Sequence, residues 1–517
     1  MAQDELIEQQ IYDIEENIAP SQSMWPRYIY VVGIILAIAG IALTPIYLWA
    51  VVFMAYTNCI LYTFFAIHFL KKGTLNSLIP VVAPLWMVVG SCLGVIYFAT
   101  FFPFESYEAG GGYIGFLDGG VRYQMAIFIF MLVYFITMAW FLRKEKTLGQ
   151  HPSKVSKYIG LLSLAIGAPI LFLMAALKLV DLPPFLSEWT NRLFVYYQSV
   201  LFVTGIVINR LSKTIKIWLV VLLGSIALLY LLRGSRGQAL VPAVSLLTAI
   251  LFFSEVKTRT KLILVASLLI IIPWYMILGT AVRSLLGPGA AHSQTLGERW
   301  SAIKEWKSVA TGKPVFGELF GRTFFTAGNL IVAYTPSEYP YRQFSLGKYI
   351  KEFAIYMMPE PLIRRVIKLD PGRLSIVLNT EYTGTTVLLE YGIFISEETS
   401  VEVSTIGNFW MLGGYKAVFI GGFLVALLHG IVACGIRRAW LKNPDKGAFY
   451  FGVQFFLFLY AMNYDFIYMC RSTLMLFIFA FVGYKLISPL LQNSYARMAA
   501  ARQEKMLYSE DAQEDAQ

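Results

Sequence analysis

Two arginines within five residues, Arg233-Gly-Ser-Arg-Gly237, are the clearest potential chemistry in this chain. A guanidinium fork matches the oxygens of a phosphate or diphosphate, and the glycines let backbone N–H groups approach the same anion. Each such charge-assisted bond is worth ~1.5–3 kcal/mol. The competing reading is a pair of interfacial arginines reaching toward lipid headgroups. Arg471 closes what reads as the last outer turn, Asn463-Tyr-Asp-Phe-Ile-Tyr-Met-Cys-Arg471, with Asp465 beside it. An ionisable group inside a bilayer costs about 2.5–3.5 kcal/mol unless paired or wet, so a structural Asp465–Arg471 pair competes with ligand binding. Arg283, Arg322 and Arg373 are further cations, and Arg322 lies in the aromatic stretch Gly317-Glu-Leu-Phe-Gly-Arg-Thr-Phe-Phe325.

A general base needs a pKa raised toward neutrality, usually by burial. Glu381 and Glu390 stand in apolar surroundings, Asn379-Thr-Glu-Tyr382 and Leu388-Leu-Glu-Tyr391, and are the favoured carboxylates. His292 is a third candidate, while Glu397, Glu398 and Glu402 read as solvated. For any one of these, an ordinary surface role competes. The four histidines show no metal-ligand spacing, so neither a zinc site nor a cofactor is expected. There is no Gly-rich nucleotide loop and no serine nucleophile elbow.

The elements that position these residues are set by composition. Of 517 residues, 57% are hydrophobic and 14% charged. The mean hydropathy is +0.62. A soluble chain would carry roughly a quarter charged residues. Apolar stretches long enough to cross a bilayer predict an all-α polytopic membrane protein with about twelve spans. They centre on Leu36, Ala55, Met87, Phe130, Pro169, Phe202, Leu223, Leu246, Ile271, Gly422, Phe456 and Phe477.

Basic residues cluster at alternate loops: Lys71 and Lys72; Arg143 to Lys157; Arg210 to Lys216; Lys257 to Lys261; and Arg437 to Lys446. The positive-inside bias makes these the cytoplasmic set and puts both termini in the cytoplasm. The formal charge of +10 then reflects loops facing anionic lipid, and no nucleic-acid partner is expected. The opposite side receives short loops, a Gly-rich loop from Glu105 to Arg122, and one large insertion. Residues 1–26 form a polar tail, 27–281 a first bundle of about nine spans, and 282–405 the extracytoplasmic loop. Residues 406–490 hold about three further spans, and 491–517 form the last tail. The acidic start, Met1 to Pro20, does not read as a cleavable signal. Within the insertion, Leu346, Ile350, Phe353, Ala354 and Met357 recur at helical spacing, predicting a short amphipathic helix. That helix would lie in the headgroup plane or pack on the bundle. Cys59, Cys92, Cys434 and Cys470 all fall outside the insertion, so no disulfide framework holds it.

Three stretches resemble the Wzy-type oligosaccharide repeat-unit polymerases, within the broader O-antigen polymerase and ligase superfamily. They are Arg233 to Gly237, Gly317 to Phe325, and Ser404-Thr-Ile-Gly-Asn-Phe-Trp-Met-Leu-Gly-Gly414 leading into Ile420-Gly-Gly422. Arg373 and Gly384 also fit an Arg-to-Gly spacing seen in some members, a pair that chance alone would supply. The third stretch holds Trp410 and Met411 where an acidic–aromatic pair is usual, so no catalytic acid carries over to it. The resemblance implies a glycosyltransferase-C-like polysaccharide polymerase in the bacterial inner membrane. Its substrate would be an oligosaccharide on undecaprenyl pyrophosphate, handled at the periplasmic face. Arg233, Arg236, Arg322, Arg471 and Arg373 would bind the pyrophosphate without a metal. The implied partners are membrane lipid and the chain-length regulator and flippase of the same pathway. A glycan ligase has the same donor chemistry. A lipid-linked glycan transporter, or a scaffold of an export complex, are rivals of other classes.

Overall fold

In a computed structural model, the protein is described over residues 25–101, 113–143, 154–177, 200–232, 237–254, 256–286, 296–304, 346–357, 404–460, 466–486 and 488–490. Among the described residues every regular element is a helix, and seven helices are long and apolar enough to cross a membrane. The chain is a membrane protein. The helices are α1 (Trp25–Leu43), α2 (Trp49–Leu70), the interrupted α3 (Asn76–Phe101), α4 (Tyr113–Phe141), α5 (Lys157–Leu177) and α6 (Leu201–Ile206). There follow α7 (Lys213–Leu232), α8 (Gly237–Phe253), α9 (Thr258–Leu286), α10 (Leu296–Lys304) and α11 (Leu346–Tyr356). The last are α12 (Thr405–Lys442), α13 (Pro444–Tyr460) and α14 (Phe466–Leu490). Each expected span centre falls inside one of these helices. The seven of spanning length are α2, α3, α4, α7, α9, α12 and α14.

Most of these helices are apolar all round, as spans must be, because lipid is as apolar as the protein interior. Leu36 on α1, Val220 on α7 and Leu269 on α9 are more than half exposed and face outward. The core sits around α3, α4 and α12. Gly422 of α12 lies against the backbone of Phe130, where an added Cβ would stand 2.7 Å from the Phe130 carbonyl oxygen. Further along, Tyr134 bonds His429 and the Phe141 ring covers Gly430, so α4 and α12 run parallel. A second centre forms around α6, whose residues are all buried. Its Phe202 ring lies 4.7 Å from Phe455 of α13, and Thr204 Oγ1 donates to the Gly160 carbonyl of α5.

The basic loops meet at one end of the bundle. Lys72 Nζ donates to the Leu142 carbonyl at 2.9 Å, Arg210 to the Val155 carbonyl at 2.7 Å, and the Ser156 amide to Asp445 Oδ1 at 2.7 Å. Four of the five basic loops are joined by these contacts. Lys446 also sits 5.6 Å from the Tyr450 ring and 5.8 Å from the Tyr484 ring.

Three expectations change in detail. The segment expected as a Gly-rich loop up to Arg122 is helical from Tyr113, so Arg122 lies within α4. Glycines are well tolerated in membrane helices. Gly120 serves packing there, since a Cβ would come 3.2 Å from Val51 of α2. Likewise α9 continues to Leu286, which places Arg283 on a helix rather than in the loop. Arg471, expected in a turn, lies in α14, because the apolar run from Phe466 to Cys470 continues the helix up to it.

Candidate functional site

The far end of the bundle, remote from the basic loops, holds the most unusual backbone. Ser404 caps α12, its side chain accepting from the Gly407 amide at 3.3 Å. Thr405 through Met411 are all buried. The helix breaks at Gly413 and Gly414, the latter at φ 59°, ψ −142°, a conformation that essentially only glycine adopts at low cost. In an unbroken helix Phe409 and Gly421 would be about 18 Å apart. Instead the Phe409 ring lies directly over Gly421, so residues 405–412 fold back along the span that follows. Phe409 also meets Phe466 at the start of α14, with ring centroids 5.5 Å apart, and Trp410 meets Tyr415 edge-on at 4.8 Å.

Two arginines lie on helices that pack against α12 near this segment. Arg122 of α4 is half-buried, and the parallel run of α4 and α12 from the Phe130–Gly422 crossing puts it at about the level of Tyr415, just past the break. Arg122 is about 12 Å along α4 from the Phe130–Gly422 crossing, toward the charge-poor end. Arg471 is half-buried in α14, five residues beyond Phe466. Between α4 and its neighbours runs a buried polar network. Asn58 Nδ2 of α2 donates to both the carbonyl and Oε1 of Gln124 at 2.9 Å. Gln124 Nε2 donates to the Ser91 carbonyl at 2.8 Å, and Cys92 Sγ donates to Gln124 Oε1 at 3.4 Å. Ser91 and Cys92 lie in a π turn, Val88–Leu93, within α3, a span whose regular helix is also interrupted at Ala83 and Pro84. Such turns disturb the regular backbone ladder and recur at functional sites.

A second polar pair lies deeper. The Tyr134 hydroxyl and His429 Nδ1 are 2.8 Å apart and both residues are fully buried, with the Phe458 ring of α13 packed edge-on against the histidine. Tyr134→Phe is expected to cost about 1–3 kcal/mol, because it strands a buried imidazole nitrogen. The double variant Tyr134→Phe/His429→Leu is expected to recover much of that loss by removing both polar groups. Thermal unfolding of the two single variants and the double variant in one detergent measures the coupling. Strict additivity would show that the pair does not hold α4 to α12.

Of the residues nominated from the sequence, Arg471 is in the described set. Arg233 and Arg236 lie in the four residues between α7 and α8, outside the described residues. Arg322, Arg373, Glu381, Glu390 and His292 lie outside them as well, as does Asp465. Sequence reasoning passed over Arg122 because hydropathy put it in a loop. It also passed over Arg299, which is 3% exposed in α10, where that helix packs on α9 and α7. A buried arginine on the helix beside α7 carries no sequence signal, since Glu298-Arg-Trp300 reads as surface. Asn58 and Gln124 were legible only as isolated amides in apolar runs. No protein-family model, curated protein or solved structure matches the chain.

Proposed function

We propose that this protein joins oligosaccharide repeat units carried on undecaprenyl pyrophosphate, by glycosyl transfer at the periplasmic face of a bacterial inner membrane. The observation that carries this reading is the buried, folded-back start of α12 with Arg122 and Arg471 on the neighbouring helices α4 and α14, at the charge-poor end. A lipid-linked donor keeps its tail in the bilayer, its pyrophosphate at the boundary and its sugars in water. Cations at that boundary suit the pyrophosphate, and the large insertion between α9 and α12 suits the sugars. The twelve-span topology, with both termini in the cytoplasm, belongs to the same proposal.

In the proposed reaction a hydroxyl of one repeat unit attacks the anomeric carbon of another. The bond from that carbon to the pyrophosphate oxygen breaks, and undecaprenyl pyrophosphate leaves with its electron pair. Guanidinium groups aimed at the departing oxygen stabilise the charge that develops there. The hydroxyl proton passes to a base, for which Glu381, Glu390 and His292 are the candidates.

The test is full-length protein in liposomes supplied with lipid-linked repeat units alone. A ladder of products is the expected result. Arg233→Ala, Arg236→Ala and Arg471→Ala should each lower the rate by about 10²–10³, the scale for losing one donor to a developing charge. Wild-type ladders from all three would remove the anion-site argument. Product only on addition of a second acceptor would identify a ligase. The interruption of α3 favours one further reading, a lipid-linked glycan transporter, because broken helices commonly line transport paths. Flux across liposomes without bond formation would select it.

A further inference from the structure

The amphipathic helix α11 uses only part of its apolar surface within the protein. Successive helical residues advance by about 100°. With Leu346 at zero, Ile355, Tyr349 and Phe353 fall at about 180°, 300° and 340°. Tyr349 is 7% exposed and joins the core, and Phe353 and Ile355 pack against that core. Ile350, Ala354 and Lys351 fall at about 40°, 80° and 140°, continuing the arc that starts at Leu346. Leu346 is 63% and Ile350 58% exposed, and Ala354 and Lys351 are open as well. One side of the helix is thus seated on the bundle. The adjoining side presents two large aliphatic chains, then a lysine.

We propose that this open side rests on the bilayer surface, with Leu346 and Ile350 among the acyl chains and Lys351 at the phosphate headgroups. Three observations select lipid as the occupant. Through Tyr349 the helix joins the core of a chain whose long apolar helices are of membrane-spanning length. It belongs to the segment joining the ends of α9 and α12, both apolar spans, so a leaflet is within reach. The order along the arc, aliphatic then cationic, is that of a helix lying at a membrane interface, where lysine extends toward the headgroups. This seating on lipid does not depend on which reaction the protein performs.

The experiment places a photo-crosslinker in the full-length chain, as Leu346→p-benzoylphenylalanine and, separately, Ile350→p-benzoylphenylalanine. Both positions are open, so the fold tolerates the added ring. Each protein is reconstituted in vesicles of equal phosphatidylcholine and phosphatidylglycerol, irradiated, and its peptides read by mass spectrometry. The expected result is a lipid adduct at both positions. Adding Lys351→Glu should lower the phosphatidylglycerol share of those adducts by up to about fivefold. Crosslinks to this protein's own chain would assign the face to the rest of the insertion, and recovery of no adduct would assign it to water. Either outcome overturns the proposal. An unchanged lipid ratio with Lys351→Glu overturns the part given to the lysine.

Discussion

Gly422→Leu is expected to leave little folded protein. A Cβ at Gly422 would stand 2.7 Å from the Phe130 carbonyl oxygen and 3.3 Å from its Cα. Those atoms are backbone, so no side chain can swing aside to make room. Helices in a membrane associate through close packing rather than through exclusion of water, which makes small residues at crossings their main resource. Overpacking usually costs about 1–3 kcal/mol, and separating two whole helices takes this case to the upper end or beyond. The separation also spoils neighbouring contacts, namely the Tyr134–His429 hydrogen bond and the Phe141 ring over Gly430. Yield of monodisperse protein and its unfolding temperature in detergent are the measurements. Gly422→Ala should show the same defect in milder form. A leucine variant as stable as wild type would show that α4 and α12 do not cross there.

Phe409→Ala is expected to release the folded-back start of α12, at a cost of about 3–5 kcal/mol for truncating a buried phenylalanine. The ring fills the space above Gly421 and touches Phe466, so its loss opens a cavity between three segments. The long part of α12 keeps its own contacts with α4, so the bundle should persist while the short segment loosens. Ser404→Cys reports on this directly. Ser404 is 5% exposed, and a membrane-impermeant maleimide should label cysteine there only when Phe409 is truncated. The proposed transfer activity should fall in step with labelling. Gly414→Val reaches the same state by another route, since its φ of 59° would strain a β-branched residue by about 1–3 kcal/mol. Absence of labelling in both variants, with unchanged melting, would sink the view that this segment is held by one ring and one glycine.

The Tyr134–His429 pair and the arc of α11 show how little hydropathy says about facing. Both buried residues stand in runs that read as uniform membrane span. Leu346 and Phe353 belong to one apolar face by spacing, yet one is open and the other packs against the core. In water, an apolar residue signals the inside. In a bilayer the same residue suits lipid and interior alike, so periodicity loses its direction.

Sequence alone marked the apolar runs in which the helices form, and four of the five basic loops it grouped do meet at one end. It singled out the stretch from Ser404 to Gly414 only through a resemblance to a family. The runs and the loop grouping follow from the cost of exposing backbone or charge to hydrocarbon, which every residue of a span feels locally. The tertiary structure alone decided that α12 doubles back at Gly413 and Gly414, that α3 is interrupted by a π turn, and that Arg122 lies within α4. Each of these depends on which segment lies opposite: Gly421 must accept Phe409, Gln124 must accept the Asn58 amide, and Gly422 must admit Phe130. Contacts between residues far apart in the chain leave no mark on local composition, because a glycine that admits a ring and a glycine that admits nothing are written with the same letter.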